Sequence, residues 1–255
     1  VPAETEHSGM WTARRWWGWW ETLLGLVYPP VCQICRAEPA RASRGFVGQQ
    51  CFRSVRLLQP PWCQRCGLPI AGEATVPFAC ANCRELDLHF QYARAAAAAE
   101  GVVLEAIHRY KYQEALWFEP FLARLLVGAA AKTLQQEQWE LIVPVPLHPV
   151  RRRERGFDQA RRLAQRLSRA TGLPLAAGWL ERCKPTATQT LLNRQERQQN
   201  VRGAFRLRHG APVAGKRIVL VDDVLTTGAT ASACAQVLCA AGARDVCVWT
   251  VARGL

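Results

Sequence analysis

Two groups of residues in this chain could do chemistry by their type and spacing. The first is the run Val219-Leu-Val-Asp-Asp-Val-Leu-Thr-Thr-Gly-Ala-Thr230. An apolar stretch delivers two consecutive acids, Asp222 and Asp223, and a turn of small and hydroxylated residues leads into a helix-forming segment. Thr226, Thr227 and Thr230 offer hydroxyl donors, and Gly228 lets the backbone approach a ligand closely. With the N–H groups of Ala229 and its neighbours at a helix N-terminus, such a turn cradles a phosphate dianion. Carboxylates in contact with that phosphate would repel it. The aspartates therefore suit the hydroxyls of an attached sugar, or a Mg2+ held by those hydroxyls and a diphosphate. The plain alternative is a loop start followed by a threonine-rich helix cap, and the order of the whole run favours the sugar phosphate.

The second group is the cysteines. Seven of eleven fall between residues 32 and 83. Cys63-x-x-Cys66 and Cys80-x-x-Cys83 form a complete quartet with 13 residues between the pairs. This is the spacing of a zinc ribbon, whose four thiolates close the coordination sphere and make the Zn2+ structural. Disulfides and an iron–sulfur cluster are the alternatives, and the absence of a secretory pattern weighs against the first. Cys32, Cys35 and Cys51 lack a fourth sulfur, because Gly48 stands where a matching pair would begin. A second Zn2+ there would need a histidine, a carboxylate or a water. Cys234, Cys239 and Cys247 read as buried thiols, and Cys183 has no knuckle spacing either.

The elements that must position these residues follow from periodicity. Tyr92–Ala99, Glu140–Val145, Arg217–Val221 and Asp245–Val251 read as strands. Helices are expected over Val102–His108, Phe118–Leu134, Phe157–Ala170 and Thr230–Ala241. Alternating strands and helices predict an α/β fold with a mostly parallel sheet flanked by helices. Residues 32–83 show little apolar periodicity and need a staple to fold. The expected division is a tryptophan-rich helix over 1–30, a zinc-ribbon module over 31–88 and the α/β domain over 89–255.

The 255 residues are 49% hydrophobic and 21% charged, a globular composition that excludes bulk disorder. No apolar run reaches the ~18–20 residues of a membrane span, so a cytoplasmic protein is expected. Trp11, Trp16, Trp17, Trp19 and Trp20 near the start leave peripheral membrane contact as a minor alternative to packing on the protein or a partner. The net charge of +13 lies wholly within Arg151–Arg217, where 17 basic residues face 4 acidic ones. Such a field attracts phosphates, nucleotides or nucleic acid.

The Asp222–Thr230 run closely resembles the phosphoribosyl-pyrophosphate (PRPP) loop of type I phosphoribosyltransferases. Pro144-Val-Pro-Leu-His148 resembles their pyrophosphate loop, and Arg151-Arg-Arg-Glu-Arg-Gly-Phe-Asp-Gln159 follows it. Gln189-Thr-Leu-Leu-Asn-Arg-Gln-Glu-Arg197 and Asn200-Val-Arg-Gly-Ala-Phe205 resemble the mobile catalytic loop and its return. With His108-Arg-Tyr-Lys-Tyr112 and the upstream cysteines, the order from Cys32 to Val251 is similar to the ComF family. Gly48 departs from it, where many members carry a cysteine. The resemblance implies a phosphoribosyltransferase-like fold with an N-terminal zinc ribbon, and PRPP with Mg2+ as ligand. It implies Asp222 and Asp223 on the ribose and metal, and Thr226, Thr227, Gly228, Ala229 and Thr230 on the 5′-phosphate. Arg194 and Arg197 would close over the diphosphate, with Arg155 and the backbone at Leu147 beside them.

Three functions are then expected alternatives. One is a Mg2+-dependent phosphoribosyltransferase with an unassigned acceptor. Another is a single-stranded DNA-binding protein working with the competence machinery in DNA uptake, with Phe157, Trp179 and Phe205 as candidate stacking residues. The third is a PRPP sensor that transfers nothing.

Overall fold

The computed structural model describes residues 30–70, 80, 83, 87–184 and 201–255. The tryptophan-rich segment and the loop carrying Arg194 and Arg197 lie outside these residues. The described part of the cysteine-rich module contains a 3-10 turn at Ala42–Arg44 and a short α-helix, α1 (Gln49–Arg53). The chain then enters β1 (Tyr92–Ala98), α2 (Gly101–Tyr112), α3 (Glu119–Gln136) and β2 (Leu141–Pro144). Helices α4 (Pro149–Arg155) and α5 (Gln159–Thr171) follow, and then the short strands β3 (Leu180–Arg182) and β4 (Phe205–Leu207). The chain closes with β5 (Arg217–Leu225), α6 (Ala229–Ala240) and β6 (Asp245–Arg253).

Strands β1, β6, β5 and β2 form, in that order, a parallel sheet, while β3 and β4 pair antiparallel beside it. The expected α/β architecture, a mostly parallel sheet with helices and a small cysteine module, is the one the chain adopts. Both faces are buried because strand side chains alternate. Val219 and Val221 of β5 join a core with Leu122 and Leu126 of α3 and Leu163 and Leu167 of α5. Ile218 and Leu220 join a second core with Cys234, Ala235 and Leu238 of α6.

Helix α5 follows its apolar stripe, burying Ala160, Leu163, Ala164 and Leu167, and starts at Asp158, whose side chain accepts a hydrogen bond from the Arg161 N–H at 3.0 Å. It is pinned to α3 by the buried carboxylate of Glu119, which takes hydrogen bonds from Arg162 and, at 2.6 Å, from Arg166.

Three details depart from expectation. Strand β5 runs past Val221 to Leu225, because its pairing with β6 continues through Asp222–Thr250 and Val224–Ala252. The two aspartates are therefore strand residues. Helix α4 was not legible, since its arginine-rich sequence has no apolar stripe. It starts on Pro149, and the His148 Nδ1 accepts from the Val150 N–H at 3.3 Å. The β3–β4 pair, three residues a side, is too short to show periodicity.

The cysteine module covers the open edge of the sheet. Leu58 N–H and Ala93 N–H donate to Ala96 and Arg65 carbonyls at 3.0 and 2.7 Å, and Ala98 N–H donates to Arg56 at 2.9 Å. These bonds occupy edge groups of β1 that would otherwise invite pairing with another chain.

Candidate functional site

Strands β2 and β5 are neighbours, and their carboxyl ends open onto one cavity of about 330 Å³. In an open α/β sheet this end, where connections leave in opposite directions, is where ligands bind. Asp222, Asp223 and Thr226 to Thr230 line it from one side, and Leu147 and Arg155 from the other. Of the residues named from sequence for this site, Arg194 and Arg197 lie outside the described part.

The turn is preorganised. Gly228 caps α6 with φ +88°, a left-handed conformation that a side chain would strain. Its added Cβ would find only ordinary contacts with Leu88 and Phe90, so conformation, not space, calls for glycine. Thr227 Oγ1 accepts from the Ala229 N–H at 3.3 Å. The first N–H groups of α6 face the cavity end of the helix, where its dipole favours an anion.

The two aspartates sit in different environments. Asp223 is buried and paired with Lys111 Nζ at 2.8 Å. Asp222 accepts from the Asp223 N–H at 2.8 Å. Burial, and then the neighbouring Asp223 charge, push its carboxyl up to about 7. Burial opposes charge on Lys111, but the two aspartates outweigh it and hold the ammonium above its ordinary value. Lys111 comes from α2 and was not singled out for any role in the sequence.

Arg151, Asp158, Gln159 and Arg182 also line the cavity. Arg155 donates to Gln159 Oε1 at 3.2 Å and stacks 5.0 Å from the Tyr112 ring. Gln159 is 3% exposed, and its Nε2 has no hydrogen-bond partner among the described residues. Burial lowers the Arg182 guanidinium and raises the Asp158 carboxyl. Lys111, Arg151, Arg155 and Arg182 give the described lining more cations than carboxylates, a balance suited to a polyanion.

The expected stacking aromatics are committed to packing. Phe205 is buried, Trp179 packs on the α6-side core, and Phe157 lies 5.0 Å from Tyr110. They form no exposed platform for bases.

The cysteines gather into two clusters. In Cys63, Cys66, Cys80 and Cys83 the sulfurs all lie within 4.8 Å of one another, with Cys63–Cys83 at 3.6 Å and Cys66–Cys80 at 3.4 Å. Disulfides need about 2.05 Å, whereas sulfurs about 2.3 Å from one zinc stand roughly 3.8 Å apart. Burial opposes a charge on Cys63, but backbone N–H groups of Cys66, Cys80 and Arg65 prevail and bring its thiol down to about 6. In the other cluster Cys32, Cys35 and Cys51 meet Glu38, a residue that sequence spacing did not single out.

The ribbon and the threonine turn share a buried arginine. Arg253, 2% exposed at the end of β6, donates to the Cys66 carbonyl at 3.2 Å, to Leu225 O at 3.1 Å, and to Thr226 O. Its Nη2 also stands 3.8 Å from Cys66 Sγ.

Comparison with known proteins gives the chain's relatives. A family model described as Double zinc ribbon domain matches residues 23–84. Competence protein F of Haemophilus influenzae is 32% identical over 228 residues, 87% of this chain and 96% of that one. DNA utilization protein YhgH of Escherichia coli K12 is 34% identical over 233 residues, 90% of this chain and all of that one. Among solved structures, a purine phosphoribosyltransferase from Pyrococcus horikoshii is 18% identical over 52% of this chain and 83% of its own, with a TM-score of 0.34. With a double zinc ribbon ahead of a parallel α/β domain, and with relatives matched over nearly their whole lengths, the chain belongs to the ComF family of competence proteins.

Proposed function

We propose that the cavity at the ends of β2 and β5 binds PRPP with Mg2+. The observation that supports this most is the convergence on one cavity of an acidic pair, a threonine–glycine turn at a helix start, and several cations. The turn and the first N–H groups of α6 take the 5′-phosphate. Asp222 and Asp223 take the ribose hydroxyls and hold Mg2+, a role that suits two adjacent carboxylates, one of them driven up to about 7 by its surroundings. When bound, Mg2+ neutralises diphosphate charge. Arg155 and the backbone at Leu147 face the diphosphate; by the family resemblance Arg194 and Arg197, outside the described residues, would also serve it. Lys111 keeps Asp223 compensated until the ligand arrives.

Transfer from this site would break the bond between ribose C1 and the diphosphate, releasing pyrophosphate to the basic side of the cavity. Such chemistry relies on stabilising the leaving group's charge, and loss of one charge-assisted phosphate contact costs ~2–4 kcal/mol. A crystal grown with PRPP and Mg2+ should show the 5′-phosphate in the turn at Thr226–Thr230. An empty turn would overturn the reading. Pyrophosphate release against a panel of bases and amines then separates an enzyme from a PRPP sensor.

A second reading, DNA handling in uptake, is favoured by exposed arginines. Arg152 and Arg153 of α4 and Arg161 and Arg169 of α5 face solvent. Contact would be through DNA phosphates, in keeping with the absence of stacking rings among Phe157, Trp179 and Phe205.

A further inference from the structure

The first cysteine cluster lacks a fourth sulfur, and a carboxylate stands in its place. Glu38 lies in one cluster with Cys32, Cys35 and Cys51, every ligating atom within 4.8 Å of the others. Glu38 Oε1 is 3.8 Å from Cys35 Sγ. An oxygen and a sulfur sharing a tetrahedral zinc stand roughly 3.6 Å apart.

The relation to Gly48 is steric as well as chemical. A Cβ built on Gly48 would fall 2.1 Å from Glu38 Cδ and 2.4 Å from Oε1. The glutamate side chain therefore fills the volume that a residue-48 side chain would need. Gly48 has an ordinary φ of −73°, so the backbone alone does not require glycine there. A cysteine at 48 and a glutamate at 38 pointing inward exclude each other.

We propose that Glu38 is the fourth ligand of the first ribbon's metal ion, replacing the sulfur that Gly48 cannot supply. The substitution conserves charge: three thiolates and a carboxylate carry the same four negative charges as four thiolates, so Zn2+ meets the same net field. Histidine or water as fourth ligand would not do this. The carboxylate is also oriented from outside the cluster. Gln50 N–H donates to Oε2 at 2.9 Å and Cys51 N–H to Oε1 at 3.0 Å. Each carboxylate oxygen has a second lone pair, so these bonds leave one free for the metal, as outer-shell partners of ligating carboxylates commonly do. Gly48 N–H in turn donates to Cys32 Sγ at 3.3 Å, so the turn that lost its side chain still serves the site through its backbone.

The competing role for Glu38 is that of a side chain that merely caps α1. Metal content and cobalt spectra of the full chain separate the two. Wild-type protein should carry two Zn2+ per chain. After exchange to Co2+, its sulfur-to-metal charge-transfer band should read seven thiolates over both sites. Glu38→Gln keeps the side chain's size and an oxygen acceptor for one of the two N–H donors of Gln50 and Cys51, but offers a neutral, poor ligand, and should lose one metal equivalent. Glu38→Ala with Gly48→Cys should regain two and read eight thiolates. Glu38→Gln with both ions tightly held and an unchanged cobalt spectrum would overturn the assignment, as would a wild-type chain that binds one ion. If the variants fail to fold, the wild-type cobalt spectrum still decides. Its ligand-field bands report three sulfurs and one oxygen at one site, or exclude that set.

Discussion

At the scale of single residues, the acidic pair carries a cost that the proposed function would explain. The Asp222 carboxyl sits near 7 in the folded chain against an ordinary value of 3.8. Between those values the folded state holds a proton that the unfolded state has released. Stability therefore falls as pH rises through this window and is lowest above it. Asp222→Asn should raise unfolding free energy by ~1–3 kcal/mol at pH 8, with the gain shrinking towards pH 4, while PRPP binding is lost. Denaturant melts at the two pH values check this. Lys111→Met should act oppositely, destabilising by ~2–4 kcal/mol because Asp223 loses its buried cation. Millimolar Mg2+ should recover part of that loss in a thermal melt and do little for the wild type. The threonine turn was legible as the lead-in to α6 because its residues are consecutive and its glycine marks the helix start. Lys111 and Glu38 were not. No spacing rule links a lysine on α2 to an aspartate on β5, and Glu38 stands three residues after Cys35 instead of at position 48, where ribbon spacing looks for the fourth ligand.

At the scale of elements, strand and helix existence followed from periodicity, and the failures have clear causes. The sequence reading ended β5 at Val221 because two acids break an apolar run. The parallel partner β6 carries the strand onward regardless. Helix α4 escaped because charge alone has no period. The most consequential element-level link was also illegible: Arg253 of β6 joins the second ribbon to the threonine turn. Its guanidinium serves carbonyls of Cys66, Leu225, Thr226 and Gly254, a load that a point-like ammonium cannot carry. Arg253→Lys should therefore weaken PRPP binding at least tenfold while both metal ions stay bound. Calorimetry beside metal analysis tests this. Unchanged affinity would mean that the turn is held by other contacts.

At the scale of the whole molecule, the two cysteine clusters brace opposite faces of one sheet. Cys32 and Cys51 join the core with α3 and α5, whereas Cys63, Cys66 and Cys80 join the core with α6. Removing metal should therefore loosen both faces, and a strong chelator should lower the melting temperature of the entire chain. The +13 charge concentrated in Arg151–Arg217 acts at this scale too. If exposed arginines engage single-stranded DNA, affinity should fall log-linearly with salt, with a slope of about −0.7 for each phosphate neutralised. Among the described residues no helix is long and apolar enough to cross a membrane. The central claim is that the acidic pair and the threonine turn jointly hold PRPP, and calorimetric titration of PRPP into the zinc-loaded chain at pH 8, with and without Mg2+, tests it most directly. One site per chain is expected, with dependence on Mg2+ and at least a thirtyfold loss in Asp223→Asn, about the weight of one charged contact. Equal affinity in the variant, or no heat of binding in the wild type, would contradict it.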